Sequence, residues 1–338
     1  MLQYGEVMTR NKNLVKEIIL IVLLALNLFT LSVKYSWAGM VSITFDDGLV
    51  SVYKYAFPIL KKNNQTATIG ITYAFFISGS RDYMDRKQIL ELQEQGWEVA
   101  SHGLTHNPAT DIPMLNSEEK ITSWTVWDKK QNIYRTRYEY KRIMVLFDNG
   151  KLMKAVSPSN EGEPAPGSYY FDRPNKYLYV KPFAAGKGSK LNIYTLSCEG
   201  EMEDSKKELE KMGFKINAYI TPYNKFSEQL RDLSKKYYHH VVSGHNKANF
   251  KNEFDCYRIW RFAVHTEDDV ELFKKIIKRE VIENDGWVVL GLHGIGDNTG
   301  WDPWAADKLQ ALSDWLKKKE IKVVTISEGA DIYENGKP

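Results

Sequence analysis

The sequence predicts an α/β protein, a parallel β/α architecture interrupted by a small β-rich insert, and three observations lead there. From residue 40 onward, short apolar runs alternate with helical patterns. Acidic residues and histidines stand where several of those runs end, at the C-terminal ends of the expected strands. Between about 119 and 196 helical patterning stops and dense β signals take over.

Taken in order, the first element is a targeting segment. Arg10, Lys12 and Lys16 precede an apolar run over 18–33, too short to span a bilayer comfortably as a helix and of the length of a signal-peptide core. Ser36-Trp37-Ala38 places small residues where a signal peptidase reads, so 1–38 is expected to be removed after Ala38 on export, with an uncleaved anchor as the alternative. Residues 41–45 then read as a strand and 52–62 as a helix. Asp85 caps a helix through 95 that Gly96 ends, and 97–101 returns as a strand. Beyond the insert, a helix over 203–212 is stopped by Gly213 and followed by a strand over 215–220. Ser227 caps another helix, Thr266 a long one through 283, and 287–293 is a strand. An amphipathic helix over 303–319 and a last strand over 322–325 complete the alternation.

Inside the insert, 143–147 and 151–156 flank Asp148-Asn149-Gly150, a strong hairpin turn, and 169–171 pairs with 177–180 across Arg173-Pro174-Asn175. Pro164, Pro166, Gly167, Gly186 and Gly188 punctuate the rest. The expected organisation is therefore 1–38 as leader, a discontinuous β/α domain over 39–118 and 197–335, and a β-rich subdomain over 119–196.

Composition narrows the function. The 338 residues carry 46 basic and 43 acidic side chains, a net +3 dispersed along the chain, so a nucleic acid or other polyanion is not expected as partner. Aromatic content of 13%, with 9 Trp and 20 Tyr, suits sugar rings as well as ordinary cores. Cys198 and Cys256 are the only two cysteines, which allows one disulfide and excludes a cysteine-based metal site.

The chemistry concentrates in Thr44-Phe45-Asp46-Asp47-Gly48 and Ser101-His102-Gly103-Leu104-Thr105-His106. Two imidazoles at i and i+4 can face one ion, and a carboxylate from Asp46 or Asp47 completes a triad that leaves positions open for water and substrate. Adjacent residues at a strand end point in different directions, so one aspartate can bind metal while the other serves as base. His293, ending Leu290-Gly291-Leu292-His293, adds a candidate general acid.

In this order and at these places, Thr-Phe-Asp-Asp-Gly, Ser-His-x-x-x-His and Leu-x-Leu-His resemble the polysaccharide deacetylases of the NodB-homology type, carbohydrate esterase family 4. The resemblance covers nearly the whole chain after residue 38 except the insert. It implies an irregular (β/α) barrel of about seven strands and acetylated glycans as substrate. It also implies Asp46 as catalytic base, Asp47, His102 and His106 as ligands of one divalent metal, usually zinc, and His293 as catalytic acid.

The family's Arg-x-Pro-Tyr-Gly motif is partly present as Ile220-Thr221-Pro222-Tyr223-Asn224. Pro222, Tyr223 and Leu292 are expected to line the substrate and oxyanion site, with the Tyr223 N–H stabilising the oxyanion. The arginine that would pair with the base is missing at Ile220, and Arg258 or Arg261 could supply that charge from elsewhere. The family's motif of an aspartate followed by a tryptophan is not recoverable, since Asp255 and Trp260 stand at altered spacing. After His293, Asp297, Trp301 and Trp304 lie in a Gly-rich loop, and the two tryptophans are candidates for a sugar platform. The expected function is N-deacetylation of N-acetylglucosamine-type residues by an exported enzyme. The alternatives are an O-acetyl (xylan-type) esterase and a non-catalytic glycan-binding protein on the same barrel.

Overall fold

The computed structural model describes residues 39–107, 120–121, 123–138, 146–149, 151–156, 165–172, 174–183, 193–195, 198–296 and 300–335. The leader expected over 1–38, the turn and loop residues Gly150, Pro164, Arg173, Gly186 and Gly188, and Asp297 lie outside these residues. No helix among the described residues is long and apolar enough to cross a membrane.

Eight strands form the main sheet, and seven of them close on themselves. They are β1 (Met40–Phe45), β2 (Thr68–Ile71), β3 (Glu98–Ser101), β4 (Ile216–Ile220), β5 (His240–Gly244), β6 (Ile259–Ala263), β7 (Trp287–Leu292) and β8 (Lys322–Val323). The order is β7-β6-β5-β4-β3-β2-β1, and β1 returns to β7 to close a parallel barrel. The seam runs from Met40 opposite Trp287 to Phe45 opposite Leu292. On its other side β1 pairs with β8 at Met40 and Val41, and with β2 at Thr44 and Phe45. The eighth strand therefore fills the lower gap between β1 and β2, which is where the barrel is irregular. The Ile326 N–H donates to the Thr68 hydroxyl across that gap at 3.0 Å.

The period-2 alternation of each strand sorts its side chains between two compartments. Val41, Ile43, Phe45, Val288, Leu290 and Leu292 belong to the large core between barrel and helices. Met40, Ala100, Ala218, Val242, Trp287 and Val289 form a separate, smaller core inside the barrel. Trp287 plugs that interior and donates its indole N–H to Ser42 Oγ at 3.0 Å. Polar residues continue the inward columns above this floor, so alternation carries Asp46, His102 and Arg261 to the barrel mouth.

The longer helices follow the expectations with two differences. Asp85 caps Arg86–Glu94 in a reciprocal capping box with Gln88, and Ser227 caps Glu228–Ser234. The helix expected to start at Thr266 is instead capped by Asp269, whose carboxylate accepts the Glu271 N–H. Thr266 is held by Asp302, which accepts from both its N–H and its hydroxyl. A final helix, Ile326–Asn335, follows β8 and has no counterpart in the sequence pattern. The possible disulfide is also corrected, because Cys198 and Cys256 are both free.

The strands between 120 and 195 form two sheets of their own, of five and four strands. Leu146–Asp148 pairs with Lys151–Leu152 and Ser168–Asp172 with Tyr177–Lys181, where the turn signals stand. Leu146, Met153, Tyr169, Leu178, Val180 and Ile193 give this region a separate core.

Candidate active site

The site is assembled at the C-terminal ends of the strands. Asp46 follows β1, and its N–H donates to the Leu292 carbonyl at 2.8 Å, stitching the barrel seam directly under the site. The next residue, Asp47, takes a left-handed backbone conformation with φ 70, which breaks the course of the strand. His106 has φ 65, Tyr223 φ 55 and Asn224 φ 56, so four non-glycine residues of the site adopt this uncommon conformation. Such conformations persist only where surrounding contacts over-determine them, and they cluster at functional sites.

The carboxylate of Asp46 is gripped by Arg261. One guanidinium nitrogen donates to Oδ1 at 2.7 Å and the other to Oδ2 at 2.6 Å, a bidentate pair buried on both sides. The same fork donates to Thr44 Oγ1 at 3.2 Å, and its Nε donates to Asn224 Oδ1 at 2.7 Å. Arg261 on β6 thus supplies a charge of the kind absent at Ile220, and Asn224, at the motif's glycine position, holds it. Space for this comes from glycines: a Cβ at Gly291 would sit 2.9 Å from Arg261 Cδ, and one at Gly244 would sit 2.3 Å from Asn224 Cβ. Burial alone would raise the Asp46 pKa, but the Arg261 guanidinium holds its carboxyl well below the usual carboxylate range.

Beside this pair Asp47, His102 and His106 converge, with donor atoms within 4.8 Å of one another. Nε2 of His102 lies 3.7 Å and Nε2 of His106 3.3 Å from Asp47 Oδ1. His102 Nδ1 is 2.9 Å from the Ile220 carbonyl, which can only accept, so Nδ1 carries the proton and Nε2 presents a lone pair. That Nε2 and Asp47 Oδ1 are both buried without a hydrogen-bond partner among the described residues. Burial and the neighbouring Asp46 push the Asp47 pKa up to about 7, while burial and His102 push His106 down to about 3. Two orphaned donor atoms and a carboxyl short of positive charge describe a cradle for a cation, and these residues fit a divalent metal.

His293 closes the mouth on the β7 side, its Nε2 3.9 Å from Asp46 Oδ2. Its Nδ1 is buried with no hydrogen-bond partner among the described residues, and burial lowers its pKa. Tyr223 is exposed, its ring 4.6 Å from that of His106. Pro222 is buried beside Gly103, whose hypothetical Cβ would lie 3.5 Å from its ring.

Several candidates lie apart from this constellation, which corrects their expected roles. Arg258 precedes β6 and sits over Phe226, 3.5 Å from Glu228, so it does not reach Asp46. Leu292 points outward into the helix-facing core and offers no surface to a substrate. Trp304 is fully buried against Phe273 and donates to the Asp268 carbonyl, which removes it as a sugar platform, whereas Trp301 is 72% exposed. Asp255 pairs with Arg231, and Lys247 lies over Trp260. One contributor left no signal in the sequence. Glu201, buried in the helix Cys198–Lys211, accepts from the Thr105 N–H at 2.8 Å and its hydroxyl at 2.9 Å, bracing the turn that carries His106.

The mouth of the parallel barrel thus brings an arginine-bound carboxylate beside a group of one aspartate and two histidines that could hold a metal ion. Residues 36–146, about a third of the chain, match the polysaccharide deacetylase family profile. The Bacillus subtilis (strain 168) protein YxkH, named as a polysaccharide deacetylase, is 36% identical over 92 residues, which are 26% of this chain and 31% of that one. The chain thus spans about a third of the length of that relative. Among solved structures, the Xyl-CE4 domain of a multidomain xylanase from the hindgut metagenome of Trinervitermes trinervoides aligns with TM-score 0.46 at 13% identity, over 89% of this chain and 92% of that one. Bacillus subtilis peptidoglycan deacetylase PdaC, as its D285S mutant, aligns with TM-score 0.43 at 13% identity, over 88% and 93%.

Proposed function

We propose that this protein is an exported, metal-dependent hydrolase that removes acetyl groups from a glycan, by N-deacetylation of N-acetylglucosamine-type residues. The observation that carries the reading is the pairing of an arginine-bound carboxylate with an adjacent Asp-His-His cradle in one barrel mouth. Asp47, His102 and His106 would hold one divalent ion, zinc by family resemblance, which supplies a water of lowered pKa and polarises the acetyl carbonyl.

The remaining work falls to the chain itself. Asp46, kept ionised by Arg261, is competent at neutral pH to take a proton from the attacking water. The bidentate grip also fixes the carboxylate in one orientation, so the proton acceptor does not swing toward the neighbouring cradle. His293 stands 3.9 Å from the same carboxylate and is assigned the proton delivered to the leaving amine. The Tyr223 N–H is assigned the developing oxyanion, a role that needs no particular side chain. The barrel over 39–118 and 197–335 carries this chemistry, and 119–196 is a separate unit.

The test is acetate release by the metal-loaded protein from a panel of acetylated glycans. Release from chitooligomers supports the reading, and no release from any glycan at any added metal overturns it in favour of a binding protein. One observation favours the O-acetyl alternative: His293 has no partner on Nδ1 among the described residues. An alkoxide leaving group demands less of a general acid than an amine does, so acetate from acetylated xylan and none from chitooligomers would select the esterase.

A further inference from the structure

The near-neutral total charge conceals an asymmetry, so the even dispersal that argued against a polyanionic partner does not hold. Residues 119–196 hold 14 Lys and Arg against 7 Asp and Glu, a net +7, whereas the rest of the chain holds 32 against 36. The five-stranded sheet of this region has two unlike faces. Tyr169, Leu178 and Val180 cover one face and are buried in the local core. The opposite face presents aromatic rings and arginine to solvent.

Strand pairing fixes that second face. Arg135 lies opposite Thr125 on one side and Tyr179 on the other, and Tyr179 lies opposite Tyr170. Tyr177 stands two residues along from Tyr179, so alternation puts it on the same face, while Trp127 occupies a bulge in its strand and is placed on that face by its contacts with Arg135 and Tyr179. The Arg135 guanidinium lies 3.9 Å over the Trp127 ring and 4.6 Å over the Tyr177 ring. Tyr170 stacks with Tyr179 at 6.1 Å, and Trp127 meets Tyr179 edge-on at 5.6 Å. Trp127 remains 53% exposed. The guanidinium N–H groups of Arg135 have no hydrogen-bond partner among the described residues.

We infer that this face, Trp127, Arg135, Tyr170, Tyr177 and Tyr179, is a binding surface for an anionic glycan, separate from the barrel mouth. Aromatic faces receive the C–H faces of sugar rings, and their fixed spacing across a sheet favours an extended chain over a compact ligand. A guanidinium packed against two rings is already ordered, and its N–H edge is the donor geometry that a carboxylate or phosphate accepts. The net positive charge of the region attracts such a chain over the distance of a Debye length. A neutral glycan would leave that charge unused. This surface goes beyond acetyl removal and is separable from it.

The experiment titrates the full-length, metal-loaded protein with hyaluronan oligosaccharides by calorimetry, beside chitooligosaccharides of equal length and single-stranded DNA of equal charge. Wild type is expected to bind hyaluronan at least about tenfold more tightly than chitooligosaccharide, with affinity falling as salt rises. Trp127→Ala and Arg135→Met are each expected to weaken hyaluronan binding about tenfold, while acetate release from a short oligomer and the thermal melt stay at wild-type levels. Equal binding of both glycans, tighter binding of DNA than of hyaluronan, or hyaluronan affinity unmoved in both variants would each overturn the inference. Tyr170→Ala serves as a third arm if one of the other variants fails to fold. No acetate release from the wild type, with hyaluronan binding intact, would count against the deacetylase reading and leave this surface standing.

Discussion

The barrel mouth and the exposed face of the insert both combine arginine with a polar task, but they use it in opposite ways. Arg261 is buried and committed through hydrogen bonds to Asp46, Thr44 and Asn224. Arg135 is half-buried against two rings, with no side-chain hydrogen bond among the described residues. In the mouth each group depends on its neighbours being in place, because an unpaired buried charge costs far more than an exposed one. On the insert face the contributions are spread over several rings, so each loss is graded. The contrast predicts that mouth variants fail as a unit and insert variants fail by degrees.

The sharpest break of that contrast is Asp46→Asn. Acetate release should fall about a thousandfold or more, since the proton acceptor is gone, while metal content measured by mass spectrometry stays at wild-type stoichiometry. Retained activity would remove Asp46 from the mechanism. His102→Ala should lose both activity and metal, because its Nε2 faces the cradle while its Nδ1 is locked to Ile220.

Arg261→Met comes next, and it leaves the Asp46 carboxylate buried without its partner. Urea unfolding should show a loss of about 3–5 kcal/mol at neutral pH. The pH dependence has a definite sign. The folded-state pKa of Asp46 lies below its unfolded value, so the pair's stabilisation is present above the ordinary carboxylate range and is lost as pH falls through and below it. The wild type should therefore lose more stability on acidification than Arg261→Met does, and parallel curves would show that the pair contributes little.

Gly291→Ala probes the same pair more gently, through the Cβ that would meet Arg261 at 2.9 Å. A destabilisation of about 1–3 kcal/mol is expected from overpacking, together with a drop in activity on the order of tenfold to a hundredfold as the fork shifts. At the small end, Trp127→Ala should change stability by no more than about 0.5 kcal/mol, because the ring is largely exposed. A large loss there would mean that the ring is part of the insert's packing.

The parts of the molecule that were legible in the sequence are those where the chemistry is local. The strand ending at Phe45, the Asp85 cap and the i, i+4 histidines each depend on residues a few positions apart, and they point to the barrel and to Asp46, Asp47, His102, His106 and His293. Arg258 and Arg261 could not be separated because the distinction is tertiary. Only the register of β6 against β5, with Gly244 opposite Arg261, turns one of them inward. The alternation Ile259, Arg261, Ala263 was the available signal, a charge on the inward side of a strand. Trp301 and Trp304 are likewise three residues apart, and only packing against Phe273 distinguishes the buried one. Glu201 was invisible because its partner Thr105 is 96 positions away.

The two glycines beside the arginine constrain more than the present site. Arg261 fits because Gly291 has no side chain, and Asn224 fits because Gly244 has none. As steps in a history of substitution, each gap had to exist before the larger group could occupy it. An arginine introduced at position 261 of a barrel with alanine at 291 would meet a wall. The position of the charge in this chain is therefore contingent, and grafting Arg261 alone into another barrel would transfer the clash without the function.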